Sequence, residues 1–401
     1  MRLLINAVGL RAGGGLTVGL NGLRGIRDAR PEYELLALVP AGCGYEELCA
    51  RLSIPCRTFA IRPFYPGWRL WFDQVLVPLI ARRWSADVLF TMNNQPALAA
   101  RCPQVLLFHN PYYIYPLDEW SPLLTGFERV SLSLQRRLFS VTARHCARVA
   151  AQTSVAAKRV QQQYAIHPER LTIVANAVAP EHERGETDAG RELAARMDQA
   201  ASGRTSVLTL ARYYPHKDLE FVVRVASRLR EAGERRFVFF VTVAPEQHKG
   251  AKALLETILC QGLAEDVVNL GEIGYRELRS VYQATRACFL PTVLESMSGT
   301  HLEALQYQLP IVTADRDFAR EACGQGAQYF SPGDVDGAIQ QLQRVAFANT
   351  RRAAAGAAPR RGWTDVGNEL AAIIESIGSP QDGAPRMAAA KVPVDVAGTR
   401  S

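Results

Sequence analysis

Two cations and two carboxylates stand at spacings that can do chemistry. Arg212 and Lys217 lie five residues apart in Arg212-Tyr-Tyr-Pro-His-Lys217-Asp218, one closing an apolar run and the other preceding a helical pattern. A planar guanidinium fork and a point-charge ammonium so placed can converge on different oxygens of one diphosphate; they can equally be exposed charges around a proline turn. Glu295 and Glu303 bracket Glu295-Ser-Met-Ser-Gly-Thr-His-Leu-Glu303. Between them the amides of Ser298, Gly299 and Thr300 could meet a diphosphate while the acids grip a sugar and a ribose. The competing reading is structural, because Thr300-x-x-Glu303 matches a capping box that would only satisfy helix-start amides. Spacing leaves both open.

Two further loops carry residues of interest. Gly13-Gly14-Gly15-Leu-Thr17 precedes a helical pattern, and consecutive glycines let backbone amides approach a phosphate or sugar. A dinucleotide fingerprint is excluded, since the last Gly of Gly-x-Gly-x-x-Gly counted from Gly13 falls on Val18; a P-loop fails because Leu20, not Lys, follows Gly19. A flexible turn is the plain alternative. Phe108-His109-Asn110-Pro111 follows the apolar run Val105 to Leu107, so His109 can face a cleft and hydrogen-bond a sugar, or be a satisfied loop residue.

These loops need a scaffold. Short apolar runs beginning Leu3 to Ala7, Leu35 to Val39, Asp87 to Thr91 and Val105 to His109 alternate with amphipathic stretches. After the strand Ser206 to Ala211 the rhythm repeats: helix Leu219 to Glu231, strand Phe237 to Val243, helix Gly250 to Gln261, strand Val267 to Leu270, helix Tyr275 to Ala284, strand Ala287 to Pro291. This βα alternation predicts α/β layers with parallel sheets, whose ligands bind beyond the carboxyl ends of strands. The 401 residues fit two domains. The expected division is 1–178, a polar linker 179–204, a second domain 205–378 and a disordered tail 379–401, rich in Pro, Gly and Ala.

Together the loops resemble the retaining glycosyltransferases of family four. The resemblance spans roughly residues 3 to 345, strongest at Glu295 to Glu303 and at Arg212 and Lys217, weaker at the glycine loop, His109 and Ile173-Val-Ala-Asn176-Ala-Val178. It implies a GT-B fold of two Rossmann-like domains facing a cleft, and transfer of a hexose-like sugar from a nucleotide-diphosphate sugar to an acceptor hydroxyl with retention, in bacterial polysaccharide, lipopolysaccharide or glycolipid assembly. By that resemblance Arg212, Lys217 and the helix start at Gly299 and Thr300 hold the donor diphosphate, and Glu303 the ribose. Glu295 and His109 are the catalytic pair at the transferred sugar, with Gly14 and Gly15 in a phosphate or sugar loop. Met297 and Ser298 stand where Phe-Gly is usual, Asp218 where Gly is common, and Ala177 at the hinge Gly. Asp315-Arg316-Asp317 spells the metal-binding triplet of the other major transferase fold, but it follows the strand Leu309 to Thr313 in a place similar to an ordinary family-four loop. No metal and no cofactor beyond the nucleotide-sugar donor is expected.

Charge and composition bound the partners. The formal net charge is +7, and residues 1 to 180 hold 20 Lys and Arg against 11 Asp and Glu. Arg129, Arg136, Arg137, Arg144 and Arg148 share one arc of a helical wheel opposite Leu132, Leu138, Phe139 and Cys146. Such a helix can rest on anionic lipid or be a solvated face with its apolar side in the core. The aromatics from Phe64 to Phe72 admit the same two readings, core or acceptor groove. A carbohydrate or lipid-linked acceptor, and an anionic membrane surface, are the expected partners. A nucleic-acid-binding protein is the rival from another class, but the basic residues are dispersed and no binding motif occurs. A GT-B-type epimerase or phosphorylase would share the domains; phosphorylase chemistry also needs a pyridoxal phosphate lysine that the sequence does not identify. Eight irregularly spaced cysteines, no signal-like start and no apolar run of membrane-spanning length give the expectation of a cytoplasmic protein, with peripheral contact at the membrane face.

Overall fold

A computed structural model describes residues 1–60, 65–120, 124–178, 185–347 and 361–378. The first unit is a sheet of β1 (Arg2–Asn6), β2 (Glu34–Pro40), β3 (Cys56–Phe59), β4 (Val88–Thr91), β5 (Gln104–Phe108), β6 (Arg148–Ala151) and β7 (Leu171–Ile173). Its helices are α1 (Gly13–Ala29), α2 (Tyr45–Arg51), α3 (Tyr65–Trp71), α4 (Val77–Arg83), α5 (Leu117–Trp120), α6 (Gly126–Thr142) and α7 (Ser154–Tyr164). The second unit adds α8 (Asp188–Ala201), β8 (Thr205–Thr209), α9 (Leu219–Glu231), β9 (Phe237–Val241), α10 (Lys249–Cys260), β10 (Val267–Asn269) and α11 (Leu278–Gln283). It continues with β11 (Ala287–Leu290), α12 (Gly299–Gln306), β12 (Ile311–Ala314), α13 (Asp317–Cys323), β13 (Ala327–Phe330) and α14 (Val335–Phe347); α15 (Trp363–Gly378) closes the described chain.

Every strand pairing is parallel, in the orders β3-β2-β1-β4-β5-β6-β7 and β10-β9-β8-β11-β12-β13. This is the expected α/β architecture of two parallel sheets. Strands such as Val88-Leu-Phe-Thr91 and Phe237-Val-Phe-Phe-Val241 are buried along their whole length, as helices on both faces require. In each sheet the order turns at the first strand: β1 lies between β2 and β4, and β8 between β9 and β11. Crevices open at such switch points. The glycine loop leaves β1, the Arg212 loop β8 and the Glu295 loop β11, so the chemistry-bearing loops sit where the topology makes room.

Two boundaries differ from the sequence expectation. Most of the stretch 179–204 is no linker: residues 179–184 lie outside the described residues, but α8 buries Met197 and Ala201 against Leu208, Phe240 and Val281 of the second core. Its start is capped by the Thr187 hydroxyl, which accepts from the Gly190 amide at 3.0 Å. Conversely α15, counted with the second domain from sequence, packs on the first. Val366, Leu370 and Ile374 join Leu3, Ile5, Phe90, Leu23 and Ile26 in one core. The two backbones meet at glycines; a Cβ on Gly367 would stand 2.0 Å from the Gly25 carbonyl oxygen, and one on Gly25 2.2 Å from that of Trp363. Only residues without a side chain let α1 and α15 cross so closely. The expected tail, 379–401, lies outside the described residues.

The arginine arc also changes. α6 ends at Thr142, so Arg144 falls in the following turn and Arg148 on β6. Arg136 turns inward and donates to the Tyr115 carbonyl at 3.1 Å. Of the aromatic segment, Phe64 lies outside the described residues, Phe72 is buried under Trp68 at a ring separation of 5.1 Å, and Trp71 is exposed.

Candidate functional site at the carboxyl ends of the strands

The loop after β8 is built to aim cations. Thr242 Oγ1 accepts from the Ala211 amide at 3.1 Å, fixing where the chain leaves the sheet. Tyr213 stacks on His248 with centroids 5.3 Å apart. A tight turn, Pro215–Lys217, follows, and the next residue, Asp218, adopts φ +46° and ψ +50° to start α9. Asp is among the few non-glycine residues that enter this left-handed region at modest cost, which is how this chain dispenses with glycine there. The turn swings Lys217 into an ion pair with Glu295. Arg212 Nη1 pairs with Glu272 Oε1 at 3.0 Å.

The loop after β11 is held from three sides. His216 accepts from the Val293 amide at 2.9 Å through its carbonyl. Ser296 donates its hydroxyl to the His109 carbonyl at 3.0 Å and lies 3.1 Å from Gln152 Oε1, while Thr153 donates to the Ser296 carbonyl at 2.8 Å. The Met297 sulfur accepts from the Asn176 amide at 3.3 Å. The signature loop of the second unit is thus pinned by loops of the first.

The helix that follows resolves the capping question. Ser298, not Thr300, is the residue before α12, and it makes no side-chain cap. Thr300 donates its hydroxyl to the Leu210 carbonyl at 3.3 Å. Glu303 accepts from the Tyr282 hydroxyl at 2.6 Å, and Tyr282 is buried and stacked on Tyr307 at 4.8 Å. The capping box is therefore not formed. Burial, helped by the Glu303 charge, pushes the Tyr282 phenol well up, so it stays a donor. A Cβ on Gly299 would meet nothing within 4 Å, and the same is true of Gly14 on α1; both helix starts face open space.

Across from these loops, Gly13 has φ +55°, and a Cβ there would stand 3.3 Å from Tyr214 Oη and 3.8 Å from Arg212 Cδ. The glycine loop therefore abuts the cation loop, with Gly15 beside it against Leu10. Tyr214 lies within the charge reach of Arg212, Arg11, Glu295 and Glu272, and burial pushes its phenol up. His109 leaves β5 with its amide donating to Asn94 Oδ1 at 2.7 Å. Its ring Nδ1 is enclosed without a hydrogen-bond partner, and burial pushes the imidazole down to about 4, so the ring is neutral at pH 7. Lys217 and Glu295 thus meet, Arg212 lies against the glycine loop with Tyr214 within charge reach of both Arg212 and Glu295, the His109 carbonyl is tied to Ser296 beside Glu295, and Glu303 stands one turn into α12.

Sequence reasoning missed several supporting residues. His216 accepts or donates at Nδ1 with the Tyr112 hydroxyl at 2.7 Å, and burial pushes it below its ordinary range. His301 sits 2.9 Å from Thr313 Oγ1 through Nε2. Thr313 gives its proton to the Leu290 carbonyl at 2.9 Å, so Nε2 of His301 carries the hydrogen. Burial, with the Lys217 charge, pushes this ring down to about 3. These residues were visible in the loops, but only their packing gives them partners.

The Asp315-Arg316-Asp317 carboxylates do not converge. Asp315 pairs with Arg320 at 2.7 Å, whereas Asp317 pairs with Arg159 at 2.6 Å and accepts from Tyr115 at 2.7 Å.

The comparisons with known proteins agree with this geometry. A family model described as Glycosyltransferase Family 4 matches residues 13–182, and one described as Glycosyl transferases group 1 matches residues 204–346. No curated protein matches by direct comparison. Among solved structures, Anabaena HepE in complex with UDP-glucose is similar over 94% of this chain and 100% of its own, at 16% identity and TM-score 0.68. WaaG, a glycosyltransferase involved in lipopolysaccharide biosynthesis, is similar over 95% of this chain and 100% of its own, at 14% identity and TM-score 0.67. A putative UDP-N-acetylglucosamine 2-epimerase from Listeria monocytogenes shares the fold over 94% of this chain and 96% of its own, at 12% identity and TM-score 0.63. With parallel sheets, switch-point loops and both halves matched by the family's own models, the chain belongs to the family-four glycosyltransferases, and it is a glycosyltransferase of the GT-B type.

Proposed function

We propose that the protein moves a hexose-like sugar from a nucleoside-diphosphate sugar to a hydroxyl of a carbohydrate or lipid-linked acceptor, with retention and without a metal, in polysaccharide, lipopolysaccharide or glycolipid assembly. The observation that carries this reading is the meeting of Lys217 and Glu295 at the β8/β11 switch point, with Arg212 on the same loop as Lys217 and against the glycine loop. In this reading the diphosphate replaces the carboxylate partners of Lys217 and Arg212, the amides at Gly299 and Thr300 add partial positive charge, and Glu295 is freed to meet the transferred sugar. Glu303, oriented by Tyr282, accepts from the ribose hydroxyls. The neutral ring of His109 offers a hydrogen bond to the sugar without opposing the positive charge that develops at the anomeric carbon.

Several features support the finer points. The departing diphosphate gains negative charge, and two side-chain cations with a helix start can meet it; Asp315 and Asp317 are each engaged by an arginine and face apart. All eight cysteines are free thiols, which suits a reducing, cytoplasmic compartment. HepE with UDP-glucose makes a uridine donor the first to try. The test is a thermal-shift screen of nucleoside diphosphates and their sugars, followed by transfer assays in excess EDTA. Stabilisation by one nucleotide and undiminished transfer in chelator are expected; loss restored by magnesium would overturn the metal-free reading, and release of a free epimerised sugar without an acceptor would favour an epimerase.

A further inference from the structure

Three arginines that take no part in the proposed donor site meet across the two units. On α1 the positions Thr17, Leu20, Asn21 and Arg24 recur at three- and four-residue steps, so they share one face of the helix. That face borders a cavity of about 370 Å³, whose other walls are α2, through Leu48 and Arg51, and the loop 274–277 that leads into α11. Leu48 is buried in the core of the first unit and Leu20 packs against that core, so the floor is fixed apolar surface. Thr17 is the lining position nearest the glycine loop, and there the Thr17 and Tyr275 hydroxyls meet across the units. None of Arg212, Lys217, Glu295 and Glu303 lines the cavity.

The charges in this cavity do not cancel. Asn21 is only 5% exposed; its amide donates to the Thr17 carbonyl at 3.1 Å, and its Oδ1 accepts from Arg24 Nη1 at 3.4 Å, so a buried side chain orients the first arginine. Arg51 and the third arginine, Arg276, are exposed and make no ion pair or hydrogen bond among the described residues. Arg30, Arg320 and Arg361, by contrast, each grip a carboxylate. The one carboxylate in the lining, Glu277, is engaged within its own unit. It accepts from the Thr187 hydroxyl at 3.3 Å, and a Cβ on Gly274 would stand 2.3 Å from its Oε2. Glu47 approaches Gly44 at the rim, and even with it the arginines outnumber the carboxylates. A concave surface with an excess of one sign of charge focuses its field on the counter-charge it lacks.

We infer that this cavity is a second ligand site, separate from the donor cleft, for a phosphomonoester of sugar size. Guanidinium forks match phosphate oxygens in two-pronged geometry, and a phosphomonoester carries close to two negative charges at pH 7. The volume lies near the lower end of small-molecule clefts, which begin at about 300 Å³, and suits a phosphorylated monosaccharide. Leu20 and Leu48 offer apolar surface to the face of a sugar ring, and the Thr17 and Tyr275 hydroxyls offer polar contacts to its edge. Arg24 and Arg51 belong to the first unit and Arg276 to the second, so an occupant bridges the two. The loop that supplies Arg276 begins beside Glu272, the partner of Arg212 at 3.0 Å, so the same occupant would steady the partner of a proposed donor cation. Only this last link rests on the proposed transferase function; the site stands on its own geometry.

The experiment is isothermal titration calorimetry of the full chain with glucose 6-phosphate, inorganic phosphate and glucose at constant ionic strength, each with and without saturating UDP. Thermal shifts with UDP are read on the same samples. Glucose 6-phosphate should bind about tenfold more tightly than inorganic phosphate, glucose should not bind, and UDP should leave the site available. Arg51→Gln with Arg276→Gln should weaken the ester roughly tenfold or more, while the Tm and the UDP shift are kept, because neither side chain holds another part of the fold. No binding of either phosphate, ester binding that the double variant leaves intact, or inorganic phosphate binding as tightly as the ester would each overturn the inference. So would displacement of the ester by UDP, or a UDP shift that falls with the double variant, since either would make the arginines part of the donor cleft. Ester binding without any UDP shift would leave this site standing and count against the donor assignment, so the two failures are told apart.

Discussion

Lys217 with Glu295 and Arg159 with Asp317 are both cation–carboxylate pairs just beyond the carboxyl ends of the second sheet, yet they join different things. The first links two loops of one unit, after β8 and β11, with both side chains about one-seventh exposed, at 14%. The second ties α7 of the first unit to the start of α13 in the second, alongside Tyr115. Glu321, one turn later, accepts from the Ser154 and Val155 amides at 2.6 and 2.9 Å and so caps α7 from the other unit. A pair within one unit can exchange its partner for a ligand without disturbing the fold. A pair between units is part of how they are joined. The same chemistry therefore serves a site in one place and a joint in the other, and the elements it connects decide which.

Removing the cleft cations is the largest predicted break in this comparison. Lys217→Ala and Arg212→Ala should each lower kcat about a hundredfold as well as weaken donor binding, since a net share of about 3 kcal/mol falls on charge that grows at the leaving group. Arg212→Lys should remain impaired, because a point charge does not reproduce a two-pronged contact. Steady-state kinetics decide, and near-wild-type transfer by both alanine variants would remove the proposed site.

Asp317→Asn tests the joint. Burial opposes the Asp317 charge, but the Tyr115 hydroxyl and Arg159 outweigh it and hold the carboxyl below its ordinary range. The substitution should cost about 2 kcal/mol of stability, read as a lowered Tm, while transfer at a permissive temperature keeps its donor KM. A donor KM that rose as steeply as in the cation variants would erase the distinction between joint and site.

Acid should loosen the fold around the cleft. His109 and His301 are pushed down to about 4 and about 3 by burial, and His216 moves the same way. Their neutral forms are favoured in the folded state, so the stability they contribute is complete above the unfolded value near 6.5 and is lost as pH falls toward the folded values. Tm should drop between pH 7 and pH 4, and His301→Asn should flatten that slope. An unchanged slope would mean other groups set the acid limit.

The smallest effect belongs to Glu303→Ala. A ribose contact should raise donor KM several-fold and leave kcat nearly intact, since hydroxyls far from the reacting carbon bind alike in ground and transition states. Tyr282→Phe should follow in the same direction more weakly, as it removes only the hydrogen bond that orients the carboxylate. Loss of Tm without a change in KM would return Glu303 to a structural role.

The sequence by itself determined the parallel α/β class, the cation spacing of Arg212 and Lys217, the two acids and the family, because these are properties of local pattern: apolar runs of strand length, turns at strand ends, and charge types at fixed offsets. It left the capping box open because Thr300-x-x-Glu303 reads the same whichever residue precedes the helix; only the packed position of α12, which is preceded by Ser298 and not Thr300, gives Glu303 to Tyr282. It assigned α15 to the wrong unit because chain order says nothing of where a helix finds a complementary surface, and Gly367 against Gly25 is a contact between residues 342 positions apart. The arginine arc failed for the same reason, since the helix stops at Thr142 and Arg136 turns to the Tyr115 carbonyl. Which face of α6 is buried, which pair is a joint and which is a site were decided only by tertiary structure, because each depends on the partner that long-range packing brings within hydrogen-bond reach.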